Sequence, residues 1–195
     1  MNYLAHLYLS QSTSDSHFGN LLGDFRRGVN KTDLAPAVLR GLENHLLVDK
    51  FTDHHQLVKN AKQLFSEQRR RFAGVAIDVA FDHFLIRHWH TFTPQSFSDF
   101  RQHSYALLNR RVDKMPPKMQ SVVTRMCEED WFATYASLDG IDLALNNIAK
   151  RIRFENTFHG AAHDIAVHYA EFEEIFLAFF PQLQAHVHTH NIEGK

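Results

Sequence analysis

The chain has 195 residues, 44% of them hydrophobic and 22% charged, with a formal net charge of -1. That composition supports a packed core and excludes long disorder, and the near-neutral balance excludes the basic field with which proteins bind nucleic acid without sequence preference. The single cysteine, Cys127, excludes a disulfide framework or a thiolate zinc site built within the chain.

A chain of this length is expected to form one domain, here 1–185, followed by a flexible tail, 186–195. The stretch after Met1, NYLAHLYLSQSTSD, carries neither a basic region nor a long apolar one. No run of about 18 apolar residues follows, so a soluble cytoplasmic protein with no membrane association is expected.

In chain order, the pattern reads as helix after helix. Ser14 or Ser16 is expected to cap a helix through HFGNLLGDFRRG, with Leu21, Leu22 and Phe25 inward and Gly28 at its end. The other side of that helix carries His17, Asn20, Asp24 and Arg27 as one polar stripe. After Pro36, residues 37–72 can be helical for most of their length, with a bend at Gly41 or near Thr52. GVAIDVAFDHFLIRHW is too long for an ordinary strand and is read as a helix. Ser96 and Asp99 resemble a capping box opening SFSDFRQHSYALLNRRV, and Pro116 and Pro117 mark a break. Further helices are predicted in KMQSVVTRMCEE, in IDLALNNIAKRI, and in GAAHDIAVHYAEFEEIFLAFF. The last carries Ile165, Tyr169, Phe172, Phe176 and Phe179 as its apolar stripe and should stop at Pro181.

Several polar residues interrupt these core-like helices. His45 and Asp49, Asp49 and Asp53, and Asp78 and Asp82 are each four apart, with His83 adjacent to the last pair, so each pair shares one helix face. A buried carboxylate without a partner would rather protonate, and a cation shared among carboxylates and a histidine removes that penalty. Asp24, Asn20 and His6 can complete such a cluster from neighbouring helices. Oxygen and imidazole donors without a thiolate suit Mn²⁺, Mg²⁺ or Fe²⁺. Taken singly, each of these residues would serve equally as a solvated face or a salt-bridge partner. His88 and His90 read as helix-end residues, and His186, His188 and His190 as part of the tail. Arg27 shares the stripe of Asp24 and offers a planar fork for a phosphate. Arg69, Arg70 and Arg71 form a local basic run able to dock an acidic partner.

Four motifs, MNYLAHLYLS, GNLLGDFRRG at 19–28, the His45 to Asp49 and Asp53 segment, and IDVAFDHFLIRHW at 77–89, together resemble the acyl carrier protein phosphodiesterase family. The resemblance covers nearly the whole chain. It implies an all-α, single-domain multi-helix bundle similar to HD-type metal-dependent phosphohydrolases. The implied activity is manganese-dependent removal of 4′-phosphopantetheine from holo-acyl carrier protein. By that resemblance Asp24, His45, Asp49, Asp78, Asp82 and His83 are metal-site residues, and His6 and Asn20 match family positions. Asp24, His45 and His83 are the catalytic candidates, either histidine serving as the general acid. Arg27 would bind a phosphate oxygen, and Arg69, Arg70, Arg71 and Lys50 would dock the acidic carrier. The chain departs from the family in reading HLLVD where relatives often carry an arginine after the histidine, which leaves Arg27 or Arg87 to meet the phosphate. It also has Tyr8 where many relatives have histidine. A nucleotide phosphohydrolase of the HD type, or a non-catalytic helical binding module, are the alternatives.

Overall fold

A computed structural model describes residues 1–151 and 158–194. Among them every regular element is helical: α1 (Tyr3–Tyr8), α2 (Ser14–Leu22), α3 (Pro36–His54), α4 (Gln56–Gln63), α5 (Ala73–Arg87), α6 (Trp89–Phe92), α7 (Phe97–Asn109), α8 (Pro117–Glu128), α9 (Trp131–Thr134), α10 (Leu138–Ala149), α11 (Ala161–Val167) and α12 (Tyr169–His190). They pack as a single bundle around one apolar core that runs from Met1 to Leu183. The last residue of the helix predicted over 141–152, Ile152, lies outside the described residues.

Phenylalanines supply much of the core. On α12, Phe172, Phe176, Phe179 and Phe180 are buried, and they meet Phe65, Phe81 and Phe84. Each such side chain, fully buried, stabilises the fold by roughly 1.5–3 kcal/mol.

The boundaries differ from the sequence pattern in several places, among them a break at His168 that divides the helix predicted over 160–180 into α11 and α12. The cap of α2 is Thr13, whose Oγ1 accepts from Ser16 N at 3.2 Å. The long segment after Pro36 breaks at His55, whose ring caps α4 by accepting from Leu57 N. Pro181 does not stop α12, which runs on to His190. Pro181 and Leu177, whose carbonyl the missing N–H would have met, both lie on the exposed side of that helix, where water can take the carbonyl. The segment expected as a flexible tail from 186 onward therefore begins as helix and ends in a 3₁₀ turn, Ile192–Gly194. Glu193 anchors that turn by accepting from Gln11 N, Ser16 Oγ and Asn20 Nδ2 at 2.8, 2.6 and 3.0 Å.

Two features of the fold position the site. The first is the crossing of α2 and α3 at Gly19 and Gly41. A Cβ at Gly19 would run into the Val38 carbonyl and the Gly41 Cα, and one at Gly41 would meet the Ser16 carbonyl. Backbone therefore packs on backbone, and His45, one turn beyond Gly41, comes under the end of α2. The expected bend at Gly41 is instead this close approach. The second is the attachment of α1, which at six residues is too short to hold together alone. Asp82 of α5 accepts from Leu4 N and Ala5 N, both at 3.0 Å, and so closes the N-terminus of α1 from 78 residues away. Leu4, Ala5 and Leu7 are buried beside it, which fixes the direction of His6.

Candidate metal centre

His6 of α1 and His45 and Asp49 of α3 each place one ligand atom so that all three lie within 4.8 Å of one another. His45 Nε2 is 2.9 Å from Asp49 Oδ2 and His6 Nε2 is 3.2 Å from Asp49 Oδ1. The two rings stack at 3.9 Å. Ligands about 2.1 Å from a common ion sit about 3 Å apart along an octahedral edge, so these separations suit a shared divalent cation.

The local support explains the ring orientations. His45 Nδ1 donates to the Asn20 carbonyl at 2.6 Å, which leaves Nε2 facing Asp49. This second hydrogen bond is the usual device that fixes the tautomer of a metal-binding histidine. Gly23 makes room for the ring, since a Cβ there would coincide with the His45 imidazole. Asn20 is held in turn: it accepts from Asn44 Nδ2 at 2.9 Å and donates to the Ser16 carbonyl and to Glu193. His6 Nδ1 is buried without a hydrogen-bond partner. Burial, reinforced by the nearby His45, holds His6 down to about 3, so its ring is neutral, and its Nε2 donates to the Met1 carbonyl at 3.1 Å, a proton that a bound cation would displace. Burial works to raise Asp49, yet the hydrogen bonds from His45 and His6 hold its carboxyl well below the usual range.

Asp24 follows α2 in the 3₁₀ turn Gly23–Phe25. Its carboxylate lies 4.0 Å from His45 Nε2 and is 44% exposed, so it borders the cluster on the open side. Burial and then Asp49 raise its carboxyl pKa, the His45 ring opposing them. Asp78 reaches the cluster through the α-ammonium of Met1, which stands 3.0 Å from Asp78 and 3.4 Å from Asp49. Burial lowers the affinity of that ammonium for its proton, but Asp78 and Asp49 together push it up to about 10. Asp53 is exposed one turn beyond Asp49.

Asp82 and His83 point elsewhere. Both oxygens of Asp82 are taken by α1, and burial raises its carboxyl to about 7 against those two hydrogen bonds. His83 Nδ1 donates to the Tyr135 carbonyl at 2.9 Å and its Nε2 meets the Tyr169 hydroxyl at 2.8 Å. The expected polar stripe on α2 also divides, because the helix ends at Leu22: His17 turns to Ser10 and Ser104. Arg27 is exposed just beyond the Asp24 turn.

Of the expected docking arginines, Arg69 is bound to Asp164 at 3.1 Å and to the His159 carbonyl. Arg70 donates to the Phe65 carbonyl, and Arg71 lies over the Phe72 ring. Arg87 and His88 share Glu173, at 3.0 and 2.8 Å, and His88 stands at the C-terminal end of α5, as expected. The Tyr8 hydroxyl donates to the Phe92 carbonyl and packs against Trp89, apart from the cluster.

With the cluster located, comparison with known proteins adds one decisive match. The pattern of the acyl carrier protein phosphodiesterase family covers residues 1–183. This chain belongs to that family. Relatives named acyl carrier protein phosphodiesterase include one from Yersinia enterocolitica, 36% identical over 95% of this chain and 96% of the relative. Another, from Serratia proteamaculans, is 36% identical over 94% and 95%. A third, from Salmonella agona, is 33% identical over 95% and 96%. No solved structure matches the chain, so the expected likeness to HD-type hydrolases rests on the sequence resemblance. The all-helical bundle itself agrees with the fold expected for the family. No helix among the described residues is long and apolar enough to cross a membrane.

In this phosphodiesterase-family chain, sequence spacing located His45 and Asp49 but left His6 as an accessory and did not find the Met1 ammonium. A signal for His6 was present in the motif around it, AHLYL, where a histidine sits within an apolar run. The glycines of GNLLGD carried a second signal, since two glycines four apart allow a neighbouring helix to approach closely.

Proposed function

We propose that this chain is a metal-dependent phosphodiester hydrolase that removes 4′-phosphopantetheine from holo-acyl carrier protein and leaves the apo-carrier. The observation that carries the reading is the convergence of His6, His45 and Asp49 within a chain of the phosphodiesterase family. The donor set fits a divalent cation, Mn²⁺ by family expectation, with Mg²⁺ or Fe²⁺ as the alternatives. Bound there, such an ion supplies Lewis acidity toward water and a phosphate oxygen.

The chain's own residues would do the rest. The Asn20 carbonyl holds the His45 ring in register, and the Gly23 gap admits it. Asp24, at the open side, orients the attacking water and receives its proton; of the three catalytic candidates it is the one with both exposure and proximity to the cluster. His83, engaged by Tyr135 and Tyr169, serves as a packing residue in this reading. Arg27 meets the second phosphate oxygen, and exposed cations such as Lys50 and Arg71 receive the carrier's acidic surface. Family membership favours this substrate over a nucleotide, which the same donor set would also serve.

The test is the intact mass of holo-acyl carrier protein after incubation with the protein and Mn²⁺. Loss of phosphopantetheine is expected, stopped by a chelator, restored by Mn²⁺, and absent in an Asp49→Ala variant that still folds. An unchanged carrier mass with Mn²⁺ bound to the protein would overturn the reading.

A further inference from the structure

Beside the cluster lies a cleft of about 200 Å³ that the hydrolytic residues leave unused. Asn2 and Tyr3 form one wall. That wall is continuous with the centre, because Asn2 follows directly on the Met1 ammonium and the Tyr3 hydroxyl lies within electrostatic reach of Asp24. The opposite wall is one face of α10, where Ala144 and Ile148 line the cleft four residues apart. Leu143, 56% exposed, and the exposed Arg151 stand on its open side.

The polar groups of the cleft are equally specific. Asn2 Nδ2 is buried against the hydroxyl of Tyr135, a second lining residue. Arg125 and Arg151 also line the cleft, with Glu129 holding Arg125 at 3.2 Å.

We propose that this cleft receives the pantetheine arm of the carrier's prosthetic group while the phosphodiester lies at His6, His45 and Asp49. The proposal rests on the carrier-hydrolase reading and names where its substrate is recognised. The arm is a slender chain of two amides, a hydroxyl and a branched dimethyl group, ending in a thiol. Its methyl groups suit Ala144 and Ile148, and its amides suit the exposed Asn147 side chain on the same lining.

Two measurements test it. In steady-state kinetics, Ala144→Trp fills the cleft from a half-buried position on the far wall. The ratio of KM for holo-acyl carrier protein to KM for bis(p-nitrophenyl) phosphate, a small diester without the arm, is expected to rise at least about tenfold. Inhibition by free pantetheine is expected to be lost at the same time. An unchanged ratio with pantetheine inhibition retained overturns the cleft assignment. In the wild-type protein, where folding is not in question, isotope-labelled methyl spectra titrated with pantetheine should shift Ile148 and Leu143. Shifts confined to other methyls, or none at millimolar pantetheine, also overturn it. Failure of the wild-type protein to release phosphopantetheine from the carrier would instead refute the hydrolase reading, so the two failures are distinguishable.

Discussion

Helices α3 and α5 carry the same sequence device, two polar residues four apart on a largely apolar face, yet they use it for opposite ends. On α3, His45 and Asp49 face each other across one turn at 2.9 Å and converge with His6. On α5, Asp78 meets the Met1 ammonium while Asp82 spends both oxygens on the backbone of α1. The difference lies in what arrives from elsewhere. A carboxylate facing two unsatisfied backbone N–H groups becomes a helix cap, whereas one facing two imidazole nitrogens becomes a ligand candidate. The two uses depend on each other, because Asp82 holds the helix that carries His6.

This contrast predicts separable losses. Asp49→Ala should cost at least about 100-fold in turnover of holo-carrier, since even outer-shell partners of metal ligands cost about 10–100-fold. Bound Mn²⁺, measured by elemental analysis, should vanish, with a smaller loss of unfolding free energy than in Asp82→Ala. Asp82→Ala should show the reverse emphasis: two buried N–H groups lose their acceptor, and unfolding free energy in urea should drop by about 2–4 kcal/mol. Equal stability loss in both variants would break the distinction.

A smaller effect is expected at Gly23→Ala. Its methyl group must displace the His45 ring, and Mn²⁺ affinity should fall by about 10–100-fold with the helices intact by circular dichroism. Normal Mn²⁺ binding in this variant would show that the ring has another place to go.

The last prediction is confined to acid pH and concerns a histidine buried for structure alone. His17 lies between Ser10 and Ser104, and burial pushes it down to about 4 from its ordinary 6.5. Because the folded pKa lies below the unfolded one, the unfolded chain binds the extra proton first as pH falls. The His17 contribution to stability should therefore decline from about pH 6.5 to about pH 4, by at most about 1.4 kcal/mol for each unit, and level off below that. His17→Gln should flatten this part of the stability profile; a profile identical to that of the wild type would show that other groups govern it.

Much of this was legible beforehand. Helix content, the apolar stripe of Phe172, Phe176 and Phe179, and the shared face of His45 and Asp49 all follow from spacing, because helix periodicity is a local property. Element ends were harder. Thr13 displaced two serines as a cap, and Pro181 was accommodated because it fell on the solvent side of α12. The segment from 186 onward looked like a polar tail until Glu193 found Ser16 and Asn20.

By itself, then, the sequence determined a helical chain of this family with histidines and carboxylates on defined helix faces. Only the tertiary structure decided which of those faces meet. His6 joined the cluster because Asp82 anchored α1, and His45 reached it because Gly19 and Gly41 let two backbones touch. Such choices depend on contacts between residues far apart in the chain, which local periodicity does not encode.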